Sequence, residues 1–194
     1  MCGFAGYFPS IKEETDTVFL NEMLENTKYR GPDRTNIFRN NKIALGHHRL
    51  SIIDLNGGKQ PVSDKNSGDC LVYNGEIYNF KSQSKFLKKN GIHLKETSDT
   101  EVLFNLLTHF GVKSTLERIE GMFSFVFYSK KENSLYLARD RAGEKPLYYT
   151  TYQNFIIFGS ELKTVLSFPG LKKNLNFSAI NQYLNLDYIP FNQT

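Results

Sequence analysis

The chain has 194 residues, of which 40% are hydrophobic and 14% aromatic, enough for one domain with a sizeable core. Its formal charge of +4, from 24 basic and 20 acidic residues, is mild and spread along the chain, which gives no footprint for nucleic acid. Two cysteines, Cys2 and Cys70, are too few for a disulfide framework, and no apolar stretch approaches the roughly 20 residues of a membrane span.

In chain order, CGFAGYF reads as a short buried strand. TDTVFLNEMLENTKYRG has Val18, Phe19, Met23 and Leu24 near helical spacing, and Gly31–Pro32 ends it. TNIFRNNKIALGHHRLSIID reads as two strands around Asn40–Asn41, with left-handed asparagines in the turn. Its two histidines, His47 and His48, are expected to sit one packed and one exposed. DCLVYNGEIYN reads as a strand running into a turn at Asn74–Gly75, and Cys70 on that strand as an inert core thiol. A helix is predicted from about Phe80 to Asn90, its lysines forming a wet face, followed by a short strand IHLKET. SDTEVLFNLLTHFG is a second helix with a stripe of Val102, Leu103, Leu106 and Leu107, closed by Gly111. Four strands follow (GMFSFVFYS, SLYLARD, KPLYYTTY and NFIIFGS), then two short helices, ELKTVLSF and FSAINQYL. Many antiparallel-looking strands with interspersed helices predict an α+β architecture of stacked sheets covered by helices.

The chemistry begins at Cys2. A cysteine near a chain end is by default a residue of a loose tail. Removal of Met1 makes it something else, a nucleophile that carries its own base. A free α-amine titrates at about 7.7–8.0 and a free thiol near 8.5, both close to cellular pH. No histidine is required.

Other positions carry two readings each. Arg49 suits either a surface ion pair or a carboxylate fork. Asn74–Gly75 is a common hairpin pair, and its side-chain amide and backbone N–H can also converge as an oxyanion hole. SDTE scans as a capping box, with Ser98 as N-cap and Glu101 at the third position, which frees Asp99 to face a pocket. Glu76 either stabilises its loop or reads a cationic group. RGPD (Arg30 to Asp33) reads as a structural turn, and Arg139, Asp140 and Arg141 as a charged network at a strand end.

MCG, RGPD, HHRLSIIDL, YNGEIYNF, SDTEV, GMFSFVFY and ARDRAGEKPLYY occur in this order. Together they resemble the glutaminase domain of class II glutamine amidotransferases, and within them the glutamine-hydrolysing asparagine synthetases, over essentially the whole chain. The resemblance implies an N-terminal-nucleophile hydrolase fold, a four-layer α/β/β/α sandwich of two mainly antiparallel sheets, as a single domain over residues 1–194. It implies hydrolysis of the side-chain amide of L-glutamine, with release of ammonia. It assigns Cys2 as nucleophile, Asn74 and Gly75 as the oxyanion hole, and Arg49 with the backbone of Leu50, Ser51 and Ile52 to the substrate carboxylate. Asp99 and Glu76 fall to the substrate ammonium. The chain departs from the family at Ala142 and Glu144, near the expected partner-domain surface.

No cofactor or metal is expected for the glutaminase half. ATP and Mg belong to a synthetase domain, whose Ser-Gly-Gly phosphate loop has no counterpart here. The expectation is therefore of a piece, or a subunit, that works with a separate ATP-dependent synthetase, with a homodimer as a further association. Nucleic acid and membrane are not expected partners, and the compartment expected is a reduced cytoplasm. Two alternatives accompany this reading: the same glutaminase feeding a sugar or cell-surface polysaccharide precursor, and a non-catalytic regulatory or assembly domain.

Overall fold

The computed structural model describes residues 2–9, 15, 17–50, 59–95 and 98–190. Strand β1 (Gly3–Pro9) alternates its side chains between two cores. Ala5 and Tyr7 pack with Leu20, Met23 and Leu24 of helix α1 (Thr17–Glu25), and with Val165 of α4 (Leu162–Leu166). Phe4 points the other way, into a cluster of Leu45, Cys70, Val72, Val126, Tyr128 and Phe158. The pairing around β1 is antiparallel on both sides. It lies between β3 (Ala44–Arg49) and β9 (Phe155–Gly159), with β2 (Arg34–Arg39) and β8 (Tyr148–Tyr152) outermost.

The second sheet runs β4 (Val62–Ser63), β5 (Cys70–Ile77), β6 (Gly121–Ser129), β7 (Ser134–Arg139), also antiparallel. Its even-numbered residues on β5 and β6 face the first sheet. Its odd-numbered ones, Leu71, Tyr73, Phe123, Phe125 and Phe127, pack on α2 (Phe80–Lys89) and α3 (Asp99–Arg118). Helices, five strands, four strands, helices is the four-layer α+β sandwich that the sequence predicts. Phe158 fills the inter-sheet layer so closely that a Cβ on Gly6 would sit 2.6 Å from its ring.

Local details differ from the sequence reading. Asn74 and Gly75 are no turn. They lie within β5, paired with Ser124 and Phe123, and the chain turns only beyond Ile77. Ile92 to Lys95 form no strand. Val18 is exposed and Leu20 takes its place in the core, because the helix presents Leu20, Met23 and Leu24 to the sheet. The Asn40 turn needs no left-handed residue, since its side-chain Oδ1 accepts from the N–H groups of Lys42 and Ile43. Gly111 (φ 76°) interrupts α3 rather than ending it, and the helix resumes as far as Arg118. His47 and His48 are both buried. Cys70 is fully buried as expected, and burial, then the Asp69 charge, pushes its thiol far above the usual range.

The last helix, α5 (Phe177–Leu186), buries only Ala179 and leaves Phe177, Tyr183 and Leu184 exposed. No helix among the described residues is long and apolar enough to cross a membrane.

The inter-sheet layer yields a stability prediction. Phe158→Ala removes a fully buried ring shared by both sheets. A loss of about 3–5 kcal/mol in unfolding free energy is expected from urea titration, as for large aromatic truncations generally.

Candidate active site

Cys2 stands just ahead of β1, half-buried, its thiol directed at the Leu50 carbonyl 3.9 Å away. Its own carbonyl accepts from Arg30 Nε at 3.1 Å, and the same guanidinium pairs with Glu161. Phe4 is tied on both backbone groups to Ser160: its N–H donates to the hydroxyl at 3.1 Å, and its carbonyl accepts from the Ser160 N–H at 2.9 Å. A Cβ on Gly3 would lie 2.8 Å from Thr27, so the strand start is pressed against the loop carrying Arg30. Arg30 is thus part of the machinery that holds Cys2, a role the turn reading of RGPD missed.

Alternation along the strands sets which residues share the inter-sheet face with Phe4. Cys2 falls on it from β1, Arg49 from β3, and Asn74 and Glu76 from β5. Arg49 is 8% exposed at the end of β3, and its carbonyl accepts from the Asp33 N–H. Leu50 lies beside Cys2 by its carbonyl. Ser51 and Ile52, expected on the same rim, lie outside the described residues. Asn74 is 3% exposed, and its Nδ2 makes no hydrogen bond within the structure, so its donors are uncommitted. Gly75 is required by packing: a Cβ there would sit 2.2 Å from the Met122 carbonyl oxygen and 2.7 Å from Phe123 Cα.

Asp99 opens α3 without capping it. Ser98 Oγ accepts from the Glu101 N–H at 3.2 Å and is the cap, while the Glu101 carboxylate takes the Lys95 N–H. Asp99 Oδ2 instead accepts from the Tyr73 hydroxyl at 2.7 Å and from the Ile77 N–H at 3.1 Å. Burial first, and then the charge and hydrogen bond of Asp99, raise the Tyr73 phenol well above its ordinary value. Sequence reading overlooked Tyr73; its place beside Asn74 was the available signal.

Two expectations are corrected at the rim. Asp140 does not join a network of charged side chains. Burial disfavours its ionisation, but the N–H groups of Lys145, Glu144, Phe123 and Gly143 outweigh this and hold its carboxyl below the usual value. Arg139 donates to the carbonyls of Lys145 and Gly143. Together they clamp the Asp140–Lys145 loop through its backbone. The second concerns the histidines. His48 Nδ1 shares a 3.0 Å hydrogen bond with Thr27 Oγ1 on the helix side. His47 lies in the inter-sheet layer, and burial above all, with the charges of His48 and Arg49, pushes its imidazole down to about 3. Among the described residues, no group of three or more His, Cys, Asp or Glu side chains is placed to hold a metal ion.

A family model described as a glutamine amidotransferase domain matches residues 1–194, and the chain belongs to that family. It is 34% identical over 191 residues to asparagine synthetase [glutamine-hydrolyzing] 3 of Bacillus subtilis, covering 96% of this chain and 31% of that protein. It is 35% identical over 215 residues to a putative asparagine synthetase [glutamine-hydrolyzing] 2 of Methanocaldococcus jannaschii, covering 98% and 40%. The chain thus spans about a third of the length of these relatives. Among solved structures, glutamine phosphoribosylpyrophosphate amidotransferase of B. subtilis superposes with a TM-score of 0.69 at 20% identity, covering 84% of this chain and 42% of that one, a likeness of fold.

The histidines give a pH prediction. A histidine held at about 3 when folded and near 6.5 when unfolded binds more protons in the unfolded chain between those values. Its contribution to stability is complete above about 6.5 and is lost progressively as pH falls. The urea midpoint is therefore expected to drop between pH 7 and pH 5.5, and a His47→Gln variant to show a flatter dependence.

Proposed function

We propose that this chain hydrolyses the side-chain amide of L-glutamine to glutamate and ammonia through a thioester on Cys2. In this reading the ammonia passes to an ATP-dependent amidation of aspartate of the asparagine-synthetase type. The observation that carries it is the juxtaposition around Tyr73. Its hydroxyl holds the Asp99 carboxylate at 2.7 Å, and the neighbouring residue, Asn74, is a buried amide with uncommitted donors on the same inter-sheet face as Cys2 and Arg49.

Each step has a group suited to it. Arg49 holds the substrate α-carboxylate with a planar fork, beside the Leu50–Ile52 rim. Asp99 is held by Tyr73 and Ile77 at Oδ2 and, at 3.5 Å, by the Thr100 hydroxyl at Oδ1, which fixes the carboxylate that meets the substrate ammonium; Glu76 completes that cation site. Once Met1 is removed, the Cys2 α-amine takes the thiol proton and the sulfur attacks the amide carbon. The Asn74 NH₂ and the Gly75 N–H stabilise the oxyanion. Collapse breaks the C–N bond, the ammonium returns its proton, and ammonia leaves. Water, deprotonated by the same amine, then attacks the thioester and frees glutamate and the thiol.

The glutaminase half takes no cofactor in this reading, and ATP and Mg serve the synthetase partner, whether domain or subunit. The exposed apolar side chains of α5 suit such a partner. The setting is the cytoplasm, and residues 1–194 act as one glutaminase unit.

Glutamate release from glutamine tests the proposal. Cys2→Ala, and a variant whose amine is blocked by an added residue, are expected to be inactive. Asn74→Ala is expected to lose about 10²–10³ in kcat. Asp99→Asn is expected to act mainly on KM. Wild-type rates in Cys2→Ala would overturn the mechanism.

A further inference from the structure

Three buried polar side chains face the inter-sheet layer behind the reactive residues, each with side-chain atoms that make no hydrogen bond of good geometry among the described residues. They are Asn74 through Nδ2, Ser124 through Oγ, and His47 through both ring nitrogens. His47 and Ser124 are completely buried and Asn74 nearly so. One such group in an apolar layer costs about 1–3 kcal/mol, and native proteins place a partner or an ordered water beside it. Three together make a site.

Their placement follows from the register. Ser124 lies directly across the β5–β6 ladder from Asn74. Even-numbered residues of both strands face the first sheet, as Val72 and Val126 do, so the two side chains stand side by side with Cβ atoms about 5 Å apart. His47 approaches from that sheet. It is paired to Phe4, and its ring acts on the Tyr73 backbone, one residue from Asn74. The Tyr73 N–H is already donated to Gln60 Oε1 at 2.6 Å, which leaves the carbonyl to receive a ring N–H.

We propose that Ser124 and the neutral His47 ring are positioning residues for Asn74, linked to it by one buried water. The donors and acceptors balance. The water accepts one Asn74 N–H and donates to the free ring nitrogen and to Ser124 Oγ. This fixes the amide in the orientation that leaves its second N–H for the oxyanion. Neutrality of the ring is essential, because an imidazolium has no acceptor to offer. A site of three polar groups suits a bound water, which typically makes about three hydrogen bonds.

The inference rests on the glutaminase reading, and the two fail differently. In steady-state glutaminase assays Ser124→Ala is expected to lower kcat about tenfold, less than losing Asn74 itself, with KM within about twofold. Ser124→Cys, which keeps the shape but bonds weakly, is expected to fall alongside it and stands in if the alanine variant folds poorly. In an Asn74→Ala background the Ser124 substitution is expected to have no further effect, because it acts only through that amide. Wild-type kcat in both Ser124 variants, a change confined to KM, or effects that multiply with Asn74→Ala would overturn the inference while Cys2→Ala remains inactive. Equal glutamate release by wild type and Cys2→Ala would overturn the glutaminase reading itself.

Discussion

The site depends on the face-to-face packing of the two sheets. Phe4, two residues from Cys2, is completely buried there among Leu45, Val72, Val126 and Phe158. A chain end is ordinarily loose. Here burial of one aromatic ring and a double backbone tie to Ser160 convert it into a fixed element. The same packing brings β5 beneath β1, so that Asn74 and Cys2 share a layer. Burial also creates the cost that organises the polar groups: a buried amide or imidazole in that layer needs a partner, and its partners lie on other strands.

Around this layer the polar contacts work as supports. Arg30 and Glu161 hold the Cys2 carbonyl, not its thiol. Tyr73, the Ile77 N–H and the Thr100 hydroxyl hold the Asp99 carboxylate. Gly75 lets β5 and β6 approach where a side chain would collide with the Met122 carbonyl. In each case a residue of the candidate site is oriented by one outside it, which is the arrangement that precise chemistry requires.

Much of this was legible in the sequence. GFAGYFP and FSFVFYS read as strands, and the stripe of Leu103, Leu106 and Leu107 as a helix; which faces they bury against one another came from the structure. The candidate residues were carried by ordered motifs, and family membership supports that resemblance. The failures share a cause. Asn-Gly was read by its local turn preference, whereas its glycine answers a cross-strand contact with Met122 and Phe123. Tyr73 and Arg30 went unnoticed because their partners lie 26 and 131 residues away. One of His47 and His48 was expected to be exposed, but α1 and its following loop cover the outer face of that sheet as well.

The strand order carries one consequence for how the molecule comes to be assembled. β1 is central in its sheet, and one of its two neighbours is β9, with Ala5 opposite Gly159. During synthesis, the earliest strand waits with an open edge until the ninth has emerged. Glu161 and Ser160, which steady Arg30 and Phe4, arrive with it. Contacts of such long sequence separation close late and slowly. The residue made near the beginning therefore acquires its working geometry near the end, and a ribosome-bound nascent chain shorter than this carries the cysteine without the site.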